Sequence, residues 1–135
     1  MSKFVKKPWG GESWLACSPD FPYVMKKIFT KKGNRSSLQV HRKKQESNYV
    51  ISGHGIVYKS IPVDVDGIDK NILPEMQKIY VGPESIFHVL PGEIHRVVAL
   101  DDMLTIEVST PEVDDVIRLQ DDTGRGNGRI ESEHK

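Results

Sequence analysis

Short runs of alternating apolar and polar residues recur along most of this chain. They read ESWLACS (12–18), YVMKKIFT (23–30), SSLQVH (36–41), SNYVISG (47–53), GIVYKS (55–60), QKIYVG (77–82), SIFHVLPG (85–92), HRVVAL (95–100) and LTIEVS (104–109). Gly, Pro, Asn and Asp separate them, as expected of strands joined by turns. Before position 110 no long stretch repeats apolar residues with a period of 3.6. About nine strands without crossover helices predict an all-β sandwich or barrel. The longest interruption, IPVDVDGIDKNILPEM (61–76), is read as an excursion between strands. TPEVDDVIRLQDD (110–122) is read as a short helix after the barrel. The Gly-rich, then charged, end of the chain is read as a frayed tail. This gives one β domain over residues 1–125 and a flexible tail over 126–135.

Composition changes this picture little. The 135 residues suit one domain with a real core. Nineteen basic and nineteen acidic residues cancel, which argues against nucleic acid or an anionic membrane as partner. No apolar run approaches the ~20 residues of a membrane span. The first ten residues, MSKFVKKPWG, lack the apolar core of a signal peptide. Cys17 is the single cysteine and is read as a small apolar residue, not a nucleophile. A disulfide framework is thereby excluded and a cytoplasmic setting expected.

Candidate chemistry concentrates between Gly33 and Gly53. Gln39 and His41 are two apart on one strand and share a face. With Arg42–Gln45 as a four-residue hairpin turn, Glu46 returns opposite His41, and Val50 also looks inward. Polar groups inside a barrel are costly unless satisfied, and a divalent cation satisfies them. His95, opening a strand after a Pro-Gly turn, supplies a further ligand. Two histidines and a carboxylate with open positions is a common arrangement for Zn²⁺ or Fe²⁺. His54, His88 and His134 have no spacing that recruits them.

The spacing Gly33-x5-Gln39-x-His41-x4-Glu46-x6-Gly53 resembles the first cupin motif, with Gln39 where most cupins carry a histidine. Gly82 and the Gly92–His95 stretch resemble the second, with its proline displaced to Pro91. The closer resemblance is to the type II mannose-6-phosphate isomerase family, the cupin domain also found at the C-terminal end of bifunctional mannose-1-phosphate guanylyltransferases. It rests on KPWG (7–10), KKIFTKKGNRSSLQVH (26–41), PGEIHR (91–96) and IEVSTPEVDDVIRLQDDTGR (106–125). The family's HxHRxEHW stands here as HRKKQESN: Lys43, Lys44, Ser47 and Asn48 replace its second histidine, its arginine and its His-Trp pair.

The resemblance implies a single-domain cupin jelly roll. It also implies a divalent metal on Gln39, His41, Glu46 and His95, and aldose–ketose isomerisation of a sugar phosphate, most simply mannose 6-phosphate to fructose 6-phosphate for polysaccharide precursors. Zn²⁺ is the first expectation for the ion, and Mn²⁺, Fe²⁺, Co²⁺ and Ni²⁺ accept the same ligands. Alternation sends either Lys26 or Lys27 inward, and the family alignment selects Lys26 as a catalytic residue beside Glu107. Lys43, Lys44, Arg96 and Arg125 are the expected phosphate-binding cations, and Arg42 lies in the same turn. Tyr49 and Ile51 face outward, so another strand or a second copy in a homodimer is expected to cover them. The competing functions are a non-catalytic carbohydrate-binding or regulatory cupin and an Fe²⁺ oxygenase on the same scaffold.

Overall fold

The computed structural model describes residues 3–134. Its strands are β1 (Lys3–Lys7), β2 (Gly10–Ala16), β3 (Val24–Thr30), β4 (Leu38–Val40), β5 (Glu46–Ser52), β6 (Gly55–Pro62), β7 (Gln77–Val81), β8 (Ile86–Val89), β9 (Glu93–Ala99), β10 (Met103–Ser109) and β11 (Ile117–Gln120). They form two antiparallel sheets, β1-β2-β3-β10-β5-β8 and β11-β4-β9-β6-β7, which face each other. Two short 3₁₀ turns, Val65–Gly67 and Glu131–His134, complete the regular structure. The all-β expectation holds, and no helix among the described residues is long and apolar enough to cross a membrane.

Alternation explains the core. Val50, Val57, Val81, Phe87, Val89, Ala99 and Met103 point between the sheets and close one end of the barrel. The second apolar cluster, Leu38, Val40, Ile94 and Leu119, lies on the opposite face of the five-stranded sheet from Gln39 and His95. The excursion 61–76 folds over it and contributes Val63, Val65, Ile68, Leu73 and Met76. This sheet is therefore buried on both faces, and polar residues can occupy its inner side without loss of the core.

Three local expectations are corrected. β1 was absent from the alternation pattern because KFVKK places only Val5 inward, fully buried, among charged neighbours. The helix expected over 110–122 is instead a turn followed by β11, which pairs with β4 through Ile117↔Val40 and Arg118↔Gln39. The apolar spacing of Val113, Val116 and Ile117 suits a helix. The unpaired edge of β4, however, offers backbone partners that a helix could not satisfy.

The third correction concerns Gln39–Glu46. β4 and β5 are not a hairpin but belong to different sheets. Residues 41–45 turn the corner between them. The Asp115 carboxylate pins that corner by accepting hydrogen bonds from the backbone N–H groups of Arg42, Lys43 and Lys44, at 3.1, 2.7 and 3.1 Å.

Candidate functional site

The barrel interior holds the residues whose convergence the spacing predicted, brought together by a different route. Gln39 pairs directly with His95 across β4 and β9, while Glu46 opens β5 in the opposite sheet. His41, Glu46 and His95 present ligand atoms that all lie within 4.8 Å of one another, and all three residues are buried. Glu46 Oε1 is 3.8 Å from His95 Nε2, and the two imidazole centroids are 5.1 Å apart.

Backbone carbonyls set the histidine tautomers. His41 donates from Nδ1 to the Asp115 carbonyl, and His95 donates from Nδ1 to the Glu93 carbonyl at 3.0 Å. Each Nε2 is left with a lone pair aimed at the shared space. His41 Nε2 is buried without a hydrogen-bond partner among the described residues. Burial, then the neighbouring His95 and Lys44, pushes the His41 pKa down to about 3, so the ring stays neutral. Gln39 Oε1 accepts from Ser37 Oγ at 2.9 Å, and its Nε2 sits 3.4 Å from His95 Nε2.

Charge deepens this picture. Lys44 is buried between Glu46, at 3.2 Å, and Glu107, at 3.3 Å. Burial alone would lower the Lys44 pKa, but Glu107, Glu46 and Glu12 outweigh it and hold the ammonium charged. Glu46 shows the converse. Burial raises its pKa, yet the nearby charges, led by the Lys44 ammonium, bring it down to about 2. Lys26 lies 3.4 Å from Glu12 and over the Trp14 ring at 4.3 Å. Glu12, Glu46 and Glu107 thus face Lys26 and Lys44, three buried carboxylates against two ammonium groups. An orphaned imidazole nitrogen, a second imidazole in the matching tautomer and an ionised carboxylate fit a divalent cation. The cluster His41, Glu46 and His95 could hold one; Gln39 lies beside it with its amide Nε2 toward His95 and its Oε1 held by Ser37.

The other expected site residues divide clearly. Lys26, Lys44 and Glu107 face the cavity, and Lys27 faces outward. Arg125 lies at the cavity mouth, bound to Asp121 at 2.8 Å and Glu133 at 3.2 Å. Lys43 is exposed at the corner, and Arg42 pairs with Asp66 at 2.5 Å on the surface. Arg96 alternates with His95 and so points to the other side of its sheet, where Nε donates to the Ser36 carbonyl at 2.9 Å. The segment 126–134, expected as a flexible tail, lies across the mouth, with Gly128, Arg129, Ile130 and His134 lining the cavity.

Three cavity residues escaped sequence reasoning. Glu12 and Trp14 sit two apart in GESW, joined by a 2.9 Å bond from the indole N–H, and that alternation was their only signal. Arg118 shares the inner face with Gln39 once β11 is a strand, and the helix expectation concealed it.

No family model matches the sequence, and no curated protein sequence matches it. Among solved structures, the capsular polysaccharide assembling protein CapF from Staphylococcus aureus superposes with a TM-score of 0.72 at 19% identity, over 90% of this chain and 32% of CapF. KdgF from Halomonas sp. gives 0.62 at 20% identity, over 84% of this chain and 89% of KdgF. Oxalate decarboxylase from Lactobacillus farciminis gives 0.67 at 15% identity, over 87% of this chain and 33% of that one. The chain thus spans about a third of the CapF structures it matches. Its fold is the cupin jelly roll. At these identities the likeness establishes the fold alone.

Proposed function

We propose that this cupin is a metal-dependent sugar-phosphate isomerase that interconverts mannose 6-phosphate and fructose 6-phosphate, or performs a related sugar step in polysaccharide precursor synthesis. The observation that carries the reading is the pairing of a metal-ready His41–Glu46–His95 cluster with acid–base groups in one cavity. The likeness to a capsular polysaccharide assembling protein supports the polysaccharide context.

Aldose–ketose isomerisation removes a proton from the carbon next to a carbonyl and returns one to the neighbouring carbon. A divalent cation, Zn²⁺ by preference, supplies Lewis acidity at that carbonyl when bound by His41, Glu46 and His95. Glu107 is suited to move the proton. Lys44 holds its carboxylate in place, and Oε2 has no well-aligned hydrogen-bond donor. Lys26, positioned by Glu12 and the Trp14 ring, is suited to donate hydrogen bonds to substrate hydroxyls. Arg125 and Arg118 line the same cavity and are suited to bind the phosphate.

The test is turnover by metal-reconstituted protein with its metal content measured. Interconversion of the two sugar phosphates that requires the ion supports the reading; fully loaded protein with no turnover removes this substrate. A non-catalytic carbohydrate-binding cupin is the second reading. It is favoured by the ion pairing of both interior lysines, which leaves neither ammonium unneutralised. Saturable sugar binding without turnover would establish it.

A further inference from the structure

The cavity mouth is crossed by the last described residues. Residues 129–134 join no strand ladder, and their 3₁₀ turn Glu131–His134 buries no residue. The segment is anchored instead by side chains. Glu133 reaches Lys7 at 2.7 Å and Arg125 at 3.2 Å, and the side chains of these cations are only 10% exposed. His134 meets the Trp14 ring edge-on, with centroids 5.3 Å apart.

The charge arrangement at this place is unusual for a simple brace. Arg125 already has a carboxylate, since Asp121 binds its guanidinium through both oxygens, so Glu133 is its second anion. Arg118, on the same side of the cavity, donates only to the carbonyls of Gly126 and Gly128. It has no carboxylate partner among the described residues, and its Nε is buried without an acceptor. Lys7, Arg118 and Arg125 therefore face Asp121 and Glu133. Glu12, paired with Lys26, also acts on Lys7 and Arg118. Without Glu133, Lys7 loses its ion-pair partner and Arg125 its second carboxylate, which leaves cations to receive a phosphate.

The geometry points to Glu133 as a built-in stand-in for the anionic group of the ligand: the 126–134 segment is an autoinhibitory strap, and a phosphate displaces the Glu133 carboxylate from Lys7 and Arg125. The inference rests on reading the cavity as a phosphate-ester site, but its test needs no turnover. An anion that competes with an internal carboxylate binds more weakly by the fraction of open molecules. A strap closed in nine molecules of ten hides about nine-tenths of the intrinsic affinity, so its release raises affinity about tenfold.

Two measurements decide it. Calorimetric titration with inorganic phosphate should show about tenfold tighter binding to E133Q than to the unaltered chain. Limited trypsin digestion of the unaltered chain should show faster cleavage after Arg129 as phosphate is added, because the strap is released. Mannose 6-phosphate and inorganic phosphate should both accelerate cleavage if the site takes any phosphate; acceleration by the ester alone assigns the displacement to the sugar phosphate. Equal phosphate affinity in a folded E133Q, or cleavage that neither anion accelerates, would overturn the strap. If E133Q fails to fold, the digestion of the unaltered chain decides alone. Loss of isomerase turnover with these results intact would remove the substrate and leave the strap.

Discussion

Lys44 shows how one residue can hold the interior together. It lies between Glu46 and Glu107, 3.2 Å from one carboxylate and 3.3 Å from the other, and its ammonium holds the Glu46 pKa down. Lys44→Met would leave two buried like charges facing each other. Removing one partner of a buried ion pair costs about 3–5 kcal/mol. The variant should therefore unfold at markedly lower urea concentration, and an unchanged midpoint would show that these carboxylates are not held by Lys44. The sequence made Lys44 a turn cation because positions 42–45 resemble a hairpin loop. Its inward direction depends on the corner that Asp115 fixes from 71 residues away. Arg118 was hidden for the same reason, since its direction follows from pairing with β4.

At the scale of elements, turns decide which side chains converge. Gly53 ends β5 with φ at +84°, and a Cβ there would overlap the Asp102 carbonyl oxygen. Gly53→Ala should cost at least about 1–3 kcal/mol, the range for a residue forced into a left-handed backbone. A thermal unfolding curve that matches the parent would contradict this. The turn after β11 contributes one pH dependence. Burial raises the Asp121 pKa. The Arg125 side chain, the Arg125 backbone N–H and the Thr123 hydroxyl outweigh that and hold it well below the usual carboxylate range. The folded pKa lies below the unfolded one, so the turn's contribution is complete above the unfolded value near 3.9. It is lost as pH falls toward the folded value. Asp121→Asn should therefore destabilise the protein at neutral pH, with the difference shrinking below about pH 3. A gap in urea midpoint that stays constant over that range would refute the linkage.

For the whole molecule, a bound ion should couple the two sheets, because His41 and His95 lie in or beside one and Glu46 in the other. A divalent ion at 1,000 times its dissociation constant would add about 4 kcal/mol of stability. Unfolding temperature should rise on the order of 10 °C with the metal and fall back with a chelator. The same shift in His41→Ala would place the ion elsewhere. The outer face of the six-stranded sheet exposes Met25, Phe29, Tyr49, Ile51 and Val108. The homodimer proposed for this face predicts sedimentation at twice the chain mass and a shift to monomer in Ile51→Lys. Alternation and turn residues identify nine of the eleven strands and the inward direction of Gln39 and Val50. Those features depend on period-two geometry and turn chemistry, which are local. Long-range strand pairing sets the rest: His41 and Glu46 meet across two sheets, β11 is a strand, Arg96 faces away and Lys44 is buried. Each of these depends on which distant strand supplies backbone hydrogen bonds, and local propensity carries no record of that partner.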